Sequence, residues 1–125
     1  MKQETLILEN GDDGLLWGRV LHEDDLIVDS APTVEELQAK IKQLLFDFHG
    51  VEEVQFELAY DLTSFFLFFD YLKISKIAAV AGMNPSLLRH YAAGSKAASK
   101  EQVAKIENAV HELGRQMASL KLVEA

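Results

Sequence analysis

The stretch from Ile74 to Tyr91 constrains this chain more than any other. It reads Ile74-Ser75-Lys76-Ile77-Ala78-Ala79-Val80-Ala81, then Gly82-Met83, then Asn84-Pro85-Ser86-Leu87-Leu88-Arg89-His90-Tyr91. Gly82 can take the positive φ that ends a first helix. Asn84 is a good N-cap, and Pro85 falls at the first helical position, where a missing N–H costs nothing. Ala78 stands four residues before Gly82 and is small enough for two helices to meet there. Ile77, Ala81, Leu88 and Tyr91 supply apolar faces, which leaves Ser86, Arg89 and His90 pointing outward. The pattern predicts two short helices, residues 74–81 and 85–92, joined by a tight turn.

That arrangement is the one that sets a second helix in the DNA major groove. Its N-terminal residues then approach the base edges. Arg89 is the candidate for direct readout, because a guanidinium bonds guanine O6 and N7 bidentately. Asn84 and Ser86, around the opening Pro85, are candidates for a base or a phosphate, and His90 lies one position round from Arg89. Lys76, Ser95 and Lys96 are candidates for phosphate contacts that fix register without reading sequence.

A net charge of −8, taken alone, argues against a polyanionic partner. The distribution answers this. Residues 1–61 hold 4 Lys+Arg against 15 Asp+Glu, net −11, whereas residues 62–125 hold 8 against 5, net +3. Such a split predicts two modules with different partners. The acidic half suits a basic partner, and the mildly basic half suits nucleic acid.

Within residues 1–61, Thr5–Glu9 is β-like and closes on the turn-rich run from Asn10 to Gly14. Leu15–Leu21 alternates, with Trp17, Arg19 and Leu21 on one face and Leu16 and Val20 on the other. A turn at His22-Glu23-Asp24-Asp25 leads to a third strand at Leu26-Ile27-Val28. Thr33 and Glu36 form a capping box. The helix they open carries Val34, Leu37, Ile41, Leu44, Leu45 and Phe48 at helical spacing, and Gly50 stops it. Val54, Phe56, Leu58 and Tyr60 then point inward from a fourth strand. The half reads β-β-β-α-β, one helix on one face of a small, mostly antiparallel sheet.

From Asp61 the period turns helical. Asp61 caps a helix through about Leu72, and the Ile74–Tyr91 pair follows. After the loop Ala93–Ala98, a second capping box at Ser99 and Gln102 opens the last helix. Val103, Ile106, Val110, Leu113, Met117 and Leu120 form a narrow stripe there, which either packs on the helix pair or makes a dimer seam. The run Phe65-Phe66-Leu67-Phe68-Phe69 covers a whole helix circumference and needs a second surface to meet. The tail Ser119–Val123 alternates like a strand, which a mate in a dimer would bury. Both hints favour an oligomer.

The apolar fraction of 49 % permits a packed core. No run approaches the roughly 18 apolar residues that span a bilayer, and Met1-Lys2-Gln3-Glu4 begins no signal peptide. A cytoplasmic protein with no membrane association is expected. The absence of cysteine excludes a disulfide framework, a thiolate metal site and a Cys nucleophile. Enzyme chemistry finds little footing. His22, Glu23, Asp24 and Asp25 are candidates for a hard cation but read as a solvated hairpin turn. His111-Glu112 lacks the second His of a zinc-protease helix. No glycine pattern matches a phosphate loop, and no Ser sits in a nucleophile elbow. No cofactor, no metal and no catalytic residue is expected.

The order of parts resembles the HicB-type antitoxins. Gly14-Leu15-Leu16-Trp17-Gly18-Arg19-Val20 leads into Thr33-Val34-Glu35-Glu36-Leu37 as in that family. Asn84–Tyr91 followed by Gly94 looks like the helix-turn-helix of phage repressors, the C-terminal module of one branch. The resemblance covers nearly the whole chain. It implies an α+β protein, with residues 1–61 a partial ribonuclease-H-like unit without nuclease function. Residues 62–125 would be an all-α, lambda-repressor-like domain for DNA binding and oligomerisation. It implies a DNA-binding antitoxin that masks a small, basic, HicA-like toxin that cleaves messenger RNA and represses its own operon, as a homodimer or a dimer of dimers on double-stranded DNA. The family's usual Pro-Gly-Cys before the first helix is replaced here by Leu26–Pro32. A stand-alone regulator with a ligand- or protein-sensing first half is the alternative.

Overall fold

A computed structural model describes residues 2–124. The chain is α+β and divides into two compact units, Met1–Ser64 and Phe65–Ala125. The division falls three residues beyond the expected one at 61/62.

The first unit contains β1 (Lys2–Asn10), β2 (Leu16–His22), β3 (Asp25–Ala31), α1 (Val34–His49) and β4 (Val54–Tyr60). The sheet order is β3-β2-β1-β4. β2 runs antiparallel to both of its neighbours, with Ile7 opposite Arg19 and Arg19 opposite Val28. β4 is parallel to β1, with Leu6 opposite Leu58. A parallel neighbour requires a crossover, and α1 supplies it. Along β2, Leu16, Gly18, Val20 and His22 are buried while Trp17 and Leu21 are exposed. This is the expected alternation.

Thr33 starts α1 by accepting the Glu36 N–H on Oγ1 at 3.2 Å, and Gly50 ends it in the left-handed region. The helix lies on β2 and β3. It buries Leu37, Ile41 and Leu45 with Leu6, Leu8, Leu16, Val20 and Ile27 of the sheet. Each such side chain contributes about 1.5–3 kcal/mol. Gly18 sets how closely the helix approaches. A Cβ at Gly18 would meet Leu37 Cδ2 at 2.7 Å and Leu6 Cδ1 at 2.9 Å.

Two expected core positions lie elsewhere. Phe48 is 73 % exposed, because its end of the apolar stripe is occupied by the imidazoles of His22 and His49, 4.6 Å apart. Leu58 is only partly covered, because α1 lies over β2 and β3 and leaves the edge strand open.

α2 (Leu62–Phe68) runs across the boundary between the units; α3 (Ile74–Ala81), α4 (Pro85–Ala93) and α5 (Lys100–Ser119) follow. Asp61 Oδ1 accepts the Ser64 N–H at 2.7 Å. α2 stops at Phe68, short of the expected Leu72, and the chain turns with Leu72 N–H donating to the Phe69 carbonyl. Aromatic residues are modest helix formers. Here Phe69 stacks on Phe65 at 5.0 Å and meets Tyr71 edge-on at 6.1 Å.

α3 packs on α4 and α5, and Ile77, Ala78, Leu88, Tyr91, Ile106 and Ala109 are buried. Only part of the α5 stripe is covered: Val103, Met117 and Leu120 are exposed. Helix lengths explain this. At 1.5 Å per residue, α3 and α4 are about 12–14 Å long and cannot cover an α5 of about 30 Å. The tail after Ser119 forms no strand among the described residues. No helix is long and apolar enough to cross a membrane among the described residues.

Candidate nucleic-acid interface

The turn between α3 and α4 is built from Gly82, Met83 and Asn84 alone. Gly82 stands at φ 69°. Its N–H donates to the Ala79 carbonyl, and the Met83 N–H donates to that of Ala78 at 2.9 Å. These two bonds close α3 in a Schellman motif, which needs a left-handed residue at that point. Asn84 then opens α4 at once, its Oδ1 accepting the Ser86 N–H at 2.8 Å. Pro85 sits in the first turn.

Leu88 and Tyr91 anchor α4 by their burial, and the remaining positions are displayed. Asn84, Pro85, Ser86, Arg89 and His90 are all exposed, as are Lys76 on α3 and Ser95 and Lys96 after α4. The eight expected residues therefore all lie on the surface of the second unit. Asn84 and Ser86 are joined by the capping bond. His90 and Ser95 are joined by another, with Nδ1 3.0 Å from the Ser95 Oγ. Lys76, Arg89 and Lys96 are joined to none of the others.

The Ser95 hydroxyl also donates to the His90 carbonyl at 3.2 Å, and the Ser95 N–H does so at 3.0 Å. A hydroxyl has one proton. With that proton on the carbonyl, the His90 Nδ1–H donates to Ser95 Oγ, and a neutral ring presents Nε2 as an acceptor. Ser95 thus closes α4, and its free donor is consumed there; His90 is the group it orients.

Charge adds a second property. From Tyr71 to Lys100 the sequence holds Lys73, Lys76, Arg89, Lys96 and Lys100 and no acidic residue. None of these five cations makes an ion pair among the described residues, in contrast to Arg19 with Glu9, Lys40 with Asp29 and Arg115 with Glu112. Lys73 and Lys100, at the starts of α3 and α5, were missing from the expected set. The lack of any acidic residue from Tyr71 to Lys100 was the signal that would have found them. A surface of exposed cations with no internal counter-charge attracts polyanions and releases their counter-ions.

The first unit offers a different surface. On the sheet face away from α1, Trp17, Leu21, Leu26 and Val28 are exposed. Arg19 and Glu9 pair beside Ile7, Trp17 and Val28 around a shallow pocket. Asp13 accepts the Trp17 indole N–H at 3.2 Å.

Comparison with protein-family models, curated proteins and solved structures finds no match for this chain.

Proposed function

We propose that this chain is a DNA-binding antitoxin of a toxin–antitoxin pair, whose second unit binds the operator of its own operon. The observation that carries the reading is the exposed face of α4. It presents Arg89 and His90 behind a three-residue turn, in a stretch from Tyr71 to Lys100 that holds five cations and no acid. Arg89 reads a guanine, Asn84 and Ser86 contact base or phosphate at the helix start, and Lys76 and Lys96 hold the backbone.

In this reading the first unit, net −11 over residues 1–61, covers a small basic HicA-like toxin. Opposite charge speeds such an encounter and suppresses wrong partners. Its β-β-β-α-β order, with a parallel fourth strand beside the first, is compatible with the partial ribonuclease-H-like unit that the resemblance implies. The apolar residues on its open sheet face are the kind of surface a protein partner covers. The uncovered stripe of α5 supports a homodimer or a dimer of dimers, and two half-sites strengthen the grip of a weakly charged module. The chain itself has no catalytic role and works in the cytoplasm.

The replacement of the family's Pro-Gly-Cys by Leu26–Pro32 favours a second reading, a stand-alone regulator. Fluorescence anisotropy of the full chain on DNA from upstream of its gene, against scrambled DNA at fixed salt, tests the DNA half. Tight binding to the upstream DNA that Arg89→Ala removes supports it; equal binding to both sinks it. Co-expression with the product of a small basic neighbouring reading frame separates the two readings.

A further inference from the structure

Five side chains, from four elements and one turn, meet at one end of the first unit's sheet: Glu4 of β1, His22 of β2, Glu23 of the following turn, Asp25 of β3 and His49 of α1. His22 is buried at 4 % exposure, and its Nδ1 lies 2.6 Å from Glu4 Oε1. An ionised carboxylate only accepts, so Nδ1 carries the proton, and in the neutral ring Nε2 is the nitrogen that keeps a lone pair. Nε2 faces Glu23 Oε1 at 3.9 Å, too far for a hydrogen bond. His49 meets the His22 ring edge-on, and its Nε2 is 2.9 Å from Asp25 Oδ2.

We propose that His22, Glu23 and His49 form a zinc site, with Glu4 orienting the His22 imidazole and Asp25 beside His49. One donor atom from each of the three lies within 4.8 Å of the others. A carboxylate on the far nitrogen of a ligating His, fixing its tautomer, is the usual support of such a ligand. Two imidazoles with a carboxylate suit Zn²⁺, whereas Ca²⁺ and Mg²⁺ ask for oxygen alone.

Geometry and surroundings agree. Around zinc at about 2.0–2.1 Å, tetrahedral ligand atoms stand roughly 3.3 Å apart. The cluster must therefore contract by about 1.5 Å at most, and Glu23, with a side chain 76 % exposed, has the freedom to close it. Glu23 adopts φ 55°, the one positive φ at a non-glycine residue among those described. Gly or Asn would serve that turn with less strain, so an acidic side chain there answers a different demand. The site opens into a cleft of about 480 Å³ lined also by Glu52 and Glu53, with Lys2 as its cation. The fourth position is left to water or Asp25. Bound zinc ties the end of α1 to the β2–β3 turn. This does not depend on the second unit binding DNA.

The test is calorimetric titration of the untagged, chelator-stripped full chain with zinc chloride, followed by cobalt(II) monitored by visible absorption. The expected result is one zinc per chain at micromolar affinity or tighter, a thermal midpoint that rises with zinc but not with magnesium or calcium, and d–d bands of tetrahedral intensity. Glu4→Gln weakens zinc about 10–100-fold, and His49→Ala and Glu23→Gln remove saturable binding. Glu23→Gln, on an exposed turn, keeps the test open should His49→Ala fail to fold. No saturable heat with no thermal shift at millimolar zinc overturns the site, and so does unchanged affinity in a folded Glu23→Gln or His49→Ala protein.

Discussion

Asn84 Oδ1 accepts the backbone N–H of Ser86 at 2.8 Å, so the carbonyl of the side chain that opens α4 belongs to the helix. Its amino group stays free to donate in the proposed DNA contact. Asn84→Ala is expected to destabilise the second unit by about 1 kcal/mol, the ordinary value of an N-cap. Asn84→Asp keeps the cap and therefore the stability, but places a negative charge where phosphate would approach. Urea unfolding beside anisotropy on the upstream DNA separates the effects: Asn84→Asp should unfold like the parent and bind more weakly. If Asn84→Asp binds the DNA as well as the parent, Asn84 does not face it.

Arg89 and Lys96 are both exposed and make no ion pair among the described residues, so neither truncation should change stability by more than about 0.5 kcal/mol. Their effects on DNA should differ in kind. Arg89→Ala costs about 1–3 kcal/mol on the preferred sequence and relaxes specificity. Lys96→Ala weakens all sequences alike and reduces the salt slope by about 1. A plot of log affinity against log salt for both variants, on upstream and scrambled DNA, decides between these roles. Identical loss on the two DNAs with Arg89→Ala would remove it from base readout.

The parts legible in the sequence were those governed by neighbours along the chain. The alternation of Leu16 and Val20 against Trp17 and Leu21, and the caps at Thr33, Asn84 and Ser99, need only local periodicity and local hydrogen bonds. Each capping box closes in one direction only, from the N-cap hydroxyl, and Gln102 Oε1 is buried with no partner among the described residues. What could not be read depends on distant residues. The parallel pairing of β4 with β1 joins segments some fifty residues apart. β3 extends through Asp29 and Ser30, polar residues that suit an edge strand, where Lys40 bonds both. His22 and His49, 27 positions apart, carry no motif spacing. Only the fold brings them to 4.6 Å. The displayed face of α4 was legible because an anchored helix with a known cap leaves few positions to face outward.

Gly82 and Gly114 should respond in opposite directions to alanine. A Cβ at either would meet nothing within 4 Å, so packing plays no part. Gly82 holds φ 69° at the turn, and an L-residue there costs about 1–2 kcal/mol. Gly114 lies within α5, where Ala is favoured over Gly by roughly 0.5–1 kcal/mol. Chemical denaturation of the two single variants should therefore bracket the parent. A stable Gly82→Ala would mean that the α3–α4 turn has another conformation.

The exposed half of the α5 stripe predicts concentration-dependent association. Met117 and Leu120 of the stripe, with Leu122 and Val123 of the tail beyond it, are all more than half exposed, and apolar residues left uncovered in this way suit an interface. Replacing Met117 and Leu120 together by Lys should leave a folded monomer, because neither side chain is in the core. Sedimentation equilibrium should show the parent as a dimer or tetramer and the double variant at the mass of one chain. Under the proposed function the variant should also bind the upstream DNA less steeply than the parent, because paired half-sites are lost. A parent that sediments as a monomer at high micromolar concentration would refute the seam.

Trp17, the single tryptophan, offers a reading of one carboxylate. The Leu15 backbone N–H, and then the Trp17 indole N–H, hold the Asp13 carboxyl below its ordinary value of 3.8. Both donors favour the ionised form in the folded state. The stabilisation that Asp13 contributes is therefore complete above the ordinary value and is lost as pH falls through the lower, folded one. Protonation takes the charge from the acceptor that the indole bonds, so Trp17 emission should titrate with a midpoint below 3.8, before far-ultraviolet circular dichroism reports unfolding. Asp13→Asn should abolish the step and leave the emission flat over the same range. A step that persists in Asp13→Asn would assign the titration to another acid, and a midpoint at or above 3.8 would mean that the indole and Leu15 bonds do not form in solution.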